Sequence, residues 1–140
     1  MSKTIRTLAT ACLLTFLAGC GGITVRGTVV GSPIGRAVVV DARDERLMQP
    51  GIPGVELKIV RPGTETSGGI APLATAVTDE AGRFSMRLSD RDKVRGALVI
   101  MAEGESALRS ATRIYPPRKG QEVLVNVRER RTTGADGSTE

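Results

Sequence analysis

Residues 76–88 read Ala76-Val77-Thr78-Asp79-Glu80-Ala81-Gly82-Arg83-Phe84-Ser85-Met86-Arg87-Leu88. Phe84, Met86 and Leu88 alternate with Arg83, Ser85 and Arg87, the period of two by which a strand buries one face and wets the other. Asp79-Glu80-Ala81-Gly82 supplies the turn before it. An Asp side chain bonds its own turn backbone, and a Gly takes the positive φ that closes the turn. The stretch therefore predicts a tight turn into a strand, with Phe84 as the one large aromatic of the core.

The same alternation recurs on both sides. Ile23-Thr24-Val25-Arg26-Gly27-Thr28-Val29, Val55-Glu56-Leu57-Lys58-Ile59 and Val123-Leu124-Val125-Asn126-Val127 each read as half-buried strands. Ala37 to Val40 and Ala97 to Met101 are apolar throughout and predict central strands covered on both faces. Leu73 to Thr78 and Ser110 to Tyr115 are weaker candidates. Short turn clusters separate these runs: Gly31-Ser32-Pro33, Pro50 to Gly54 and Pro116-Pro117. Asp41 to Met48 has room for one helical turn, and no longer helical pattern is present. About seven to eight strands without intervening helices predict an all-β, antiparallel Greek-key sandwich over residues 23–128. The Gly-, Thr- and Ser-rich stretch Arg61 to Pro72 is expected to be a mobile or functional loop, and residues 129–140 a disordered tail.

The amino terminus has a different character. Lys3 and Arg6 precede an apolar run from Leu8 to Ala18, interrupted only by Thr10 and Thr15, and the run closes on Leu17-Ala18-Gly19-Cys20. About 11 residues are too few to span a bilayer, which needs roughly 20, so the segment reads as a targeting signal. Its end resembles the lipobox of bacterial lipoproteins. That resemblance implies a signal peptide at 1–19, diacylglycerol on the Cys20 thiol, and a short linker through residue 22. Two or three acyl chains, at about 0.8 kcal/mol per buried methylene, hold a protein to a bilayer stably. Gly21 rather than Asp after the cysteine implies the outer membrane in a Gram-negative envelope, with the domain extracytoplasmic, in the periplasm or at the surface.

Cleavage before Cys20 leaves 121 of the 140 residues, enough for one domain. Of the formal charge of +5, Lys3 and Arg6 belong to the signal, leaving about +3 spread among acidic neighbours. Dispersed charge and a near absence of stacking aromatics exclude a nucleic-acid partner as the working expectation. Cys12 lies in the signal and Cys20 at the anchor, so the sandwich has no disulfide and rests on burial of Val, Ile, Leu and Ala.

Ile52-Pro53-Gly54-Val55-Glu56-Leu57 and Ala76 to Phe84 resemble two motifs of carboxypeptidase regulatory-like domains, a proline-glycine entry to a strand and a T-D-x-x-G-x-F hairpin. The resemblance implies a transthyretin-like, or prealbumin-like, sandwich. Gly27-Thr28-Val29 stands where that family opens with G-x-V. About 20 residues then separate it from Pro53, and Arg36 to Asp41 reads as an additional strand.

No histidine occurs in the chain, which removes the commonest general base and metal ligand. The serines have no G-x-S-x-G setting, so the expectation is no enzyme, with no catalytic residues, no cofactor and no resident metal. Tyr115 is expected to pack against a strand end. Asp41, Asp44 and Glu45, then Asp79 and Glu80, then Asp90 and Asp92 form acidic loops that would hold calcium or a small polar ligand if gathered at one end. Arg43, Arg46, Arg91 and Lys93 interleave with them and favour a solvated, mixed-charge surface. The leading expectation is a non-catalytic, membrane-anchored structural or protein-interaction module with an envelope partner, docking by a sheet edge. Arg83, Arg87, Arg113, Arg128, Arg130 and Arg131 offer a basic face toward acidic partners or lipid headgroups. By fold analogy alone, an accessory lipoprotein of an envelope or secretion assembly is a further reading.

Overall fold

The structure is a computed structural model that describes residues 22–65, 71–88 and 95–131. Among the described residues there are eight strands: β1 (Ile23–Gly31), β2 (Arg36–Asp41), β3 (Glu56–Val60), β4 (Ala74–Val77), β5 (Arg83–Leu88), β6 (Leu98–Glu103), β7 (Ser110–Ile114) and β8 (Gln121–Val127). They form two four-stranded sheets, ordered β2-β8-β1-β5 and β4-β3-β6-β7, packed face to face. Each run read from the sequence as a strand is one. The additional strand at Arg36 to Asp41 is β2, and Asp41 to Met48 contains one 3-10 turn, Glu45–Met48.

Alternation sets the faces. Val25 and Val29 of β1, Phe84, Met86 and Leu88 of β5, and Val123, Val125 and Val127 of β8 meet Leu57, Ile59, Leu98, Ile100 and Ala102 of the second sheet in one core. Phe84 lies opposite Gly27 in the β1–β5 register. A Cβ on Gly27 would strike the Phe84 ring and the Val123 carbonyl, so the ring occupies room that only glycine leaves. At the turn, Gly82 has φ +73° and its Cα packs against Gly51. Asp79 Oδ1 accepts from the backbone N–H groups of Ala81 and Arg83 at 2.9 and 2.8 Å. Thr78, 5% exposed, ties the proline-glycine entry to this turn: its hydroxyl accepts from Val55 N–H at 2.9 Å and donates to Ile52 O at 2.7 Å. The two motif segments are thus one hydrogen-bonded corner.

Three features depart from expectation. The β1–β8 pair is parallel, whereas the other five pairings are antiparallel. β8 enters its sheet after the crossing at residues 115–120, at the same end where β1 begins, and so runs alongside it. Secondly, β2 is an edge strand rather than a central one. Its unbroken apolar run reflects cover on both faces: Ala37 and Val39 face the main core, while Val38 and Val40 join Val30, Leu124 and Leu47 in a second cluster outside the sheet. Leu47, carried by the 3-10 turn, closes that cluster. Thirdly, pairing continues past residue 128. Glu129 bridges to Ala107, and Arg130 N–H donates to Ser106 O at 2.8 Å. Residues 132–140 of the expected tail, and 66–70 of the expected loop, lie outside the described residues.

Candidate functional site

The expected lipid-attachment residue, Cys20, lies outside the described residues, and so does the signal segment before it. What the structure places is the end of the sandwich next to it. β1 begins at Ile23, one residue after the first described one, Gly22. In the sequence, two glycines, Gly21 and Gly22, stand between Cys20 and the start of β1.

Beside Gly22 lies an open groove of about 520 Å³, lined in part by Arg26 of β1, by Arg118, Lys119 and Gly120 of the preceding loop, and by Gln121 and Glu122 of β8. The loop is held by backbone rather than left slack. Ala42 N–H donates to Gly120 O at 2.9 Å, Gln121 N–H to Arg118 O at 3.0 Å, and Arg118 N–H to the Gln121 side chain at 2.9 Å. Gly120 has φ +83°, which the turn into β8 requires. Glu122 is the one carboxylate in the lining, and Arg83 Nη2 stands 3.6 Å from its Oε2. Arg26, Arg118 and Lys119, all exposed, thus leave the groove positive.

The described acidic loops use several of their carboxylates within their own turns. Asp41 Oδ1 accepts from Arg43 N–H at 2.9 Å. Asp44 caps the 3-10 turn by accepting from Arg46 N–H at 3.0 Å, and its carboxylate takes the Arg46 guanidinium in a fork at 2.9 and 2.7 Å. The side-chain hydrogen bond from Arg46 is the main reason the Asp44 carboxyl is lowered to about 2 from 3.8. Asp79 is spent on its own turn. Asp41 and Asp79 also adjoin opposite edges of one sheet, three strand spacings apart, which alone is about 14 Å, and are offset along the strands as well. A calcium ion takes oxygens at about 2.3–2.6 Å and cannot bridge that gap. Asp90 and Asp92 lie outside the described residues. Among the described residues no three metal-ligating side chains come together.

The arginines do not form one face. Arg83 and Arg87 stand on β5 of the first sheet and Arg113 on β7 of the second, while Arg128 and Arg131 line a separate depression at the far end with Pro33 and Leu108. Arg128 Nε donates to Pro33 O there at 3.1 Å. On the outer face of the second sheet, Glu56, Lys58, Glu103 and Arg109 mix both signs around a smaller hollow, with Lys58 and Glu56 paired at 3.0 Å. The β2 edge is partly closed, since Ala37 N–H donates across to Thr112 Oγ1 of β7 at 3.0 Å. Tyr115 does not pack against a strand end. It is 70% exposed, because Pro116 and Pro117 carry the chain away from the sheet directly after it.

No protein-family model, curated protein or solved structure matches the chain. The fold and the groove together define an all-β, two-sheet sandwich of eight strands with a basic end next to its amino-terminal strand. Sequence reading missed Arg26, Arg118 and Lys119 as a set because about 90 residues separate the first from the others. Only the parallel β1–β8 pairing brings them to one end.

Proposed function

We propose that this chain is a lipid-anchored, extracytoplasmic protein of bacterial type, held to the outer membrane by Cys20, whose sandwich is a non-catalytic interaction module of the carboxypeptidase regulatory-like kind. The observation that carries the reading is the apolar run from Leu8 closing on Leu17-Ala18-Gly19-Cys20, with a basic start and strand β1 following at once. The corner built by Thr78, Asp79, Gly82 and Phe84 supports the domain assignment, since each motif residue has a physical task there. The lack of any histidine, and the use of Asp41, Asp44 and Asp79 in turns, supports a binding role over catalysis or calcium capture. For a protein partner, the far end of the sandwich is the better surface. Leu108 is 39% exposed there between Pro33 and Arg128, and Ile34, next in the chain, is 62% exposed.

The test is metabolic labelling of the full chain with palmitate, following label and membrane fractionation in wild type and Cys20→Ala. Loss of both in the variant is the expected result. An unlabelled, soluble wild type would refute the anchor.

A further inference from the structure

We infer that the end of the sandwich beside Cys20, formed by residues 115–120 with Arg26, seats on anionic phospholipid headgroups of the membrane that holds the anchor. The inference deepens the lipid-anchor reading and rests on it.

Covalent reach supplies the first argument. Two trans peptide units separate the Cα atoms of residues 20 and 22, so they lie at most about 7 Å apart whatever the conformation between them. A polar headgroup layer is of similar thickness, roughly 5–8 Å on each side of the hydrocarbon. An acylated Cys20 would therefore hold Gly22, and the groove it lines, within or against that layer.

The chemistry of this end fits that position. Arg26, Arg118 and Lys119 are exposed around the groove, and its single carboxylate, Glu122, already faces Arg83 at 3.6 Å. A few cations close to an acyl anchor are the second signal that stabilises seating on an anionic bilayer. The loop presenting two of them is pre-formed by the hydrogen bonds of Ala42, Arg118 and Gln121, so little ordering entropy opposes contact. Tyr115 opens the same loop and is 70% exposed. An exposed phenol beside cations suits the membrane–water interface, where the ring meets the apolar boundary and the hydroxyl meets water. The exposed Ile34 and Leu108 stand at the opposite end, beyond the nine residues of β1 and so about 26 Å away. That end would stay clear for a partner.

Tyr115 also furnishes the assay, because the chain has one tyrosine and no tryptophan, so its emission reports on this loop alone. The mature protein, extracted from membranes, is weighed by mass spectrometry and reconstituted into phosphatidylcholine vesicles with or without phosphatidylglycerol. Acrylamide, a neutral aqueous quencher, measures the exposure of Tyr115, and brominated lipid measures its approach to the bilayer. The expected result is severalfold weaker acrylamide quenching, with new quenching by brominated lipid, only where phosphatidylglycerol is present, and reversal at high salt. Joint replacement Arg118→Ser and Lys119→Ser, at exposed positions whose loop bonds are made by backbone groups, should weaken seating about 25-fold, near fivefold per charge, and abolish the difference. A lipidated wild-type chain with equal quenching in both vesicles would overturn this inference and leave the anchor standing. Protection that appears in neutral vesicles on adding soluble phosphate or an acidic protein would overturn it as well. A chain whose mass lacks the diacylglycerol would overturn the anchor reading and this inference together.

Discussion

Leu47→Ala tests the second apolar cluster, the feature that explains why an edge strand is apolar on both faces. Leu47 is 4% exposed and meets Val30, Val40 and Leu124, with Val38 packed alongside. The substitution removes about three carbons from that contact, worth about 2.4 kcal/mol at about 0.8 kcal/mol per methylene. A cavity contribution adds to this. It should be small, because the four-residue 3-10 turn lies at the surface and can settle onto the sheet. The expected loss is about 2–3 kcal/mol, the lower part of the range for buried leucines. Urea unfolding of the mature chain measures it directly: with a slope of about 1–1.5 kcal/mol per molar for a domain this size, the midpoint should fall by roughly 2 M. Met48, the next residue, is 82% exposed and provides the control, since Met48→Ala should change stability by less than about 0.5 kcal/mol. If Leu47→Ala costs under about 1 kcal/mol, or matches Met48→Ala, the cluster does not stabilise the fold and the account of β2 fails.

Thr28 is 1% exposed and its hydroxyl has no hydrogen-bond partner among the described residues, so Thr28→Val should be neutral or stabilise by about 1 kcal/mol in the same unfolding assay. A clear destabilisation would show that the hydroxyl is satisfied. Gly82→Ala places a Cβ at φ +73° and against the backbone of Gly51 and Ile52, and should cost more than about 2 kcal/mol; a near-native midpoint would contradict the packed corner. For the Asp44–Arg46 pair, the folded carboxyl is lowered to about 2 from 3.8, so its stabilising contribution is complete above pH 4 and disappears as pH falls through about 2. Carboxyl NMR titration should show that midpoint for Asp44 and a return toward 3.8 in Arg46→Gln. An unchanged titration in the variant would remove the Arg46 guanidinium as the cause.

Local pattern made the strands legible. Period-two alternation at Ile23 to Val29, Phe84 to Leu88 and Val123 to Val127 is a property of consecutive residues, and so are the turn chemistry of Asp79 and Gly82 and the run ending at Cys20. The pairing of β1 with β8, the edge position of β2 and the cover that Leu47 gives it were not legible. Each depends on which segments meet across long sequence separations, and apolar residues read alike whether a second sheet or a single turn covers them. The basic end belongs with these. Arg26 and the Arg118-Lys119 pair are ordinary solvated charges in the sequence, and a parallel strand contact made after the chain has crossed between the sheets sets them around one groove. The sequence by itself determined the strand inventory and the corner residues, because these are local. Tertiary structure alone decided strand neighbours and the surface near the amino terminus, because hydrophobic burial is non-directional and leaves the choice of partner to packing.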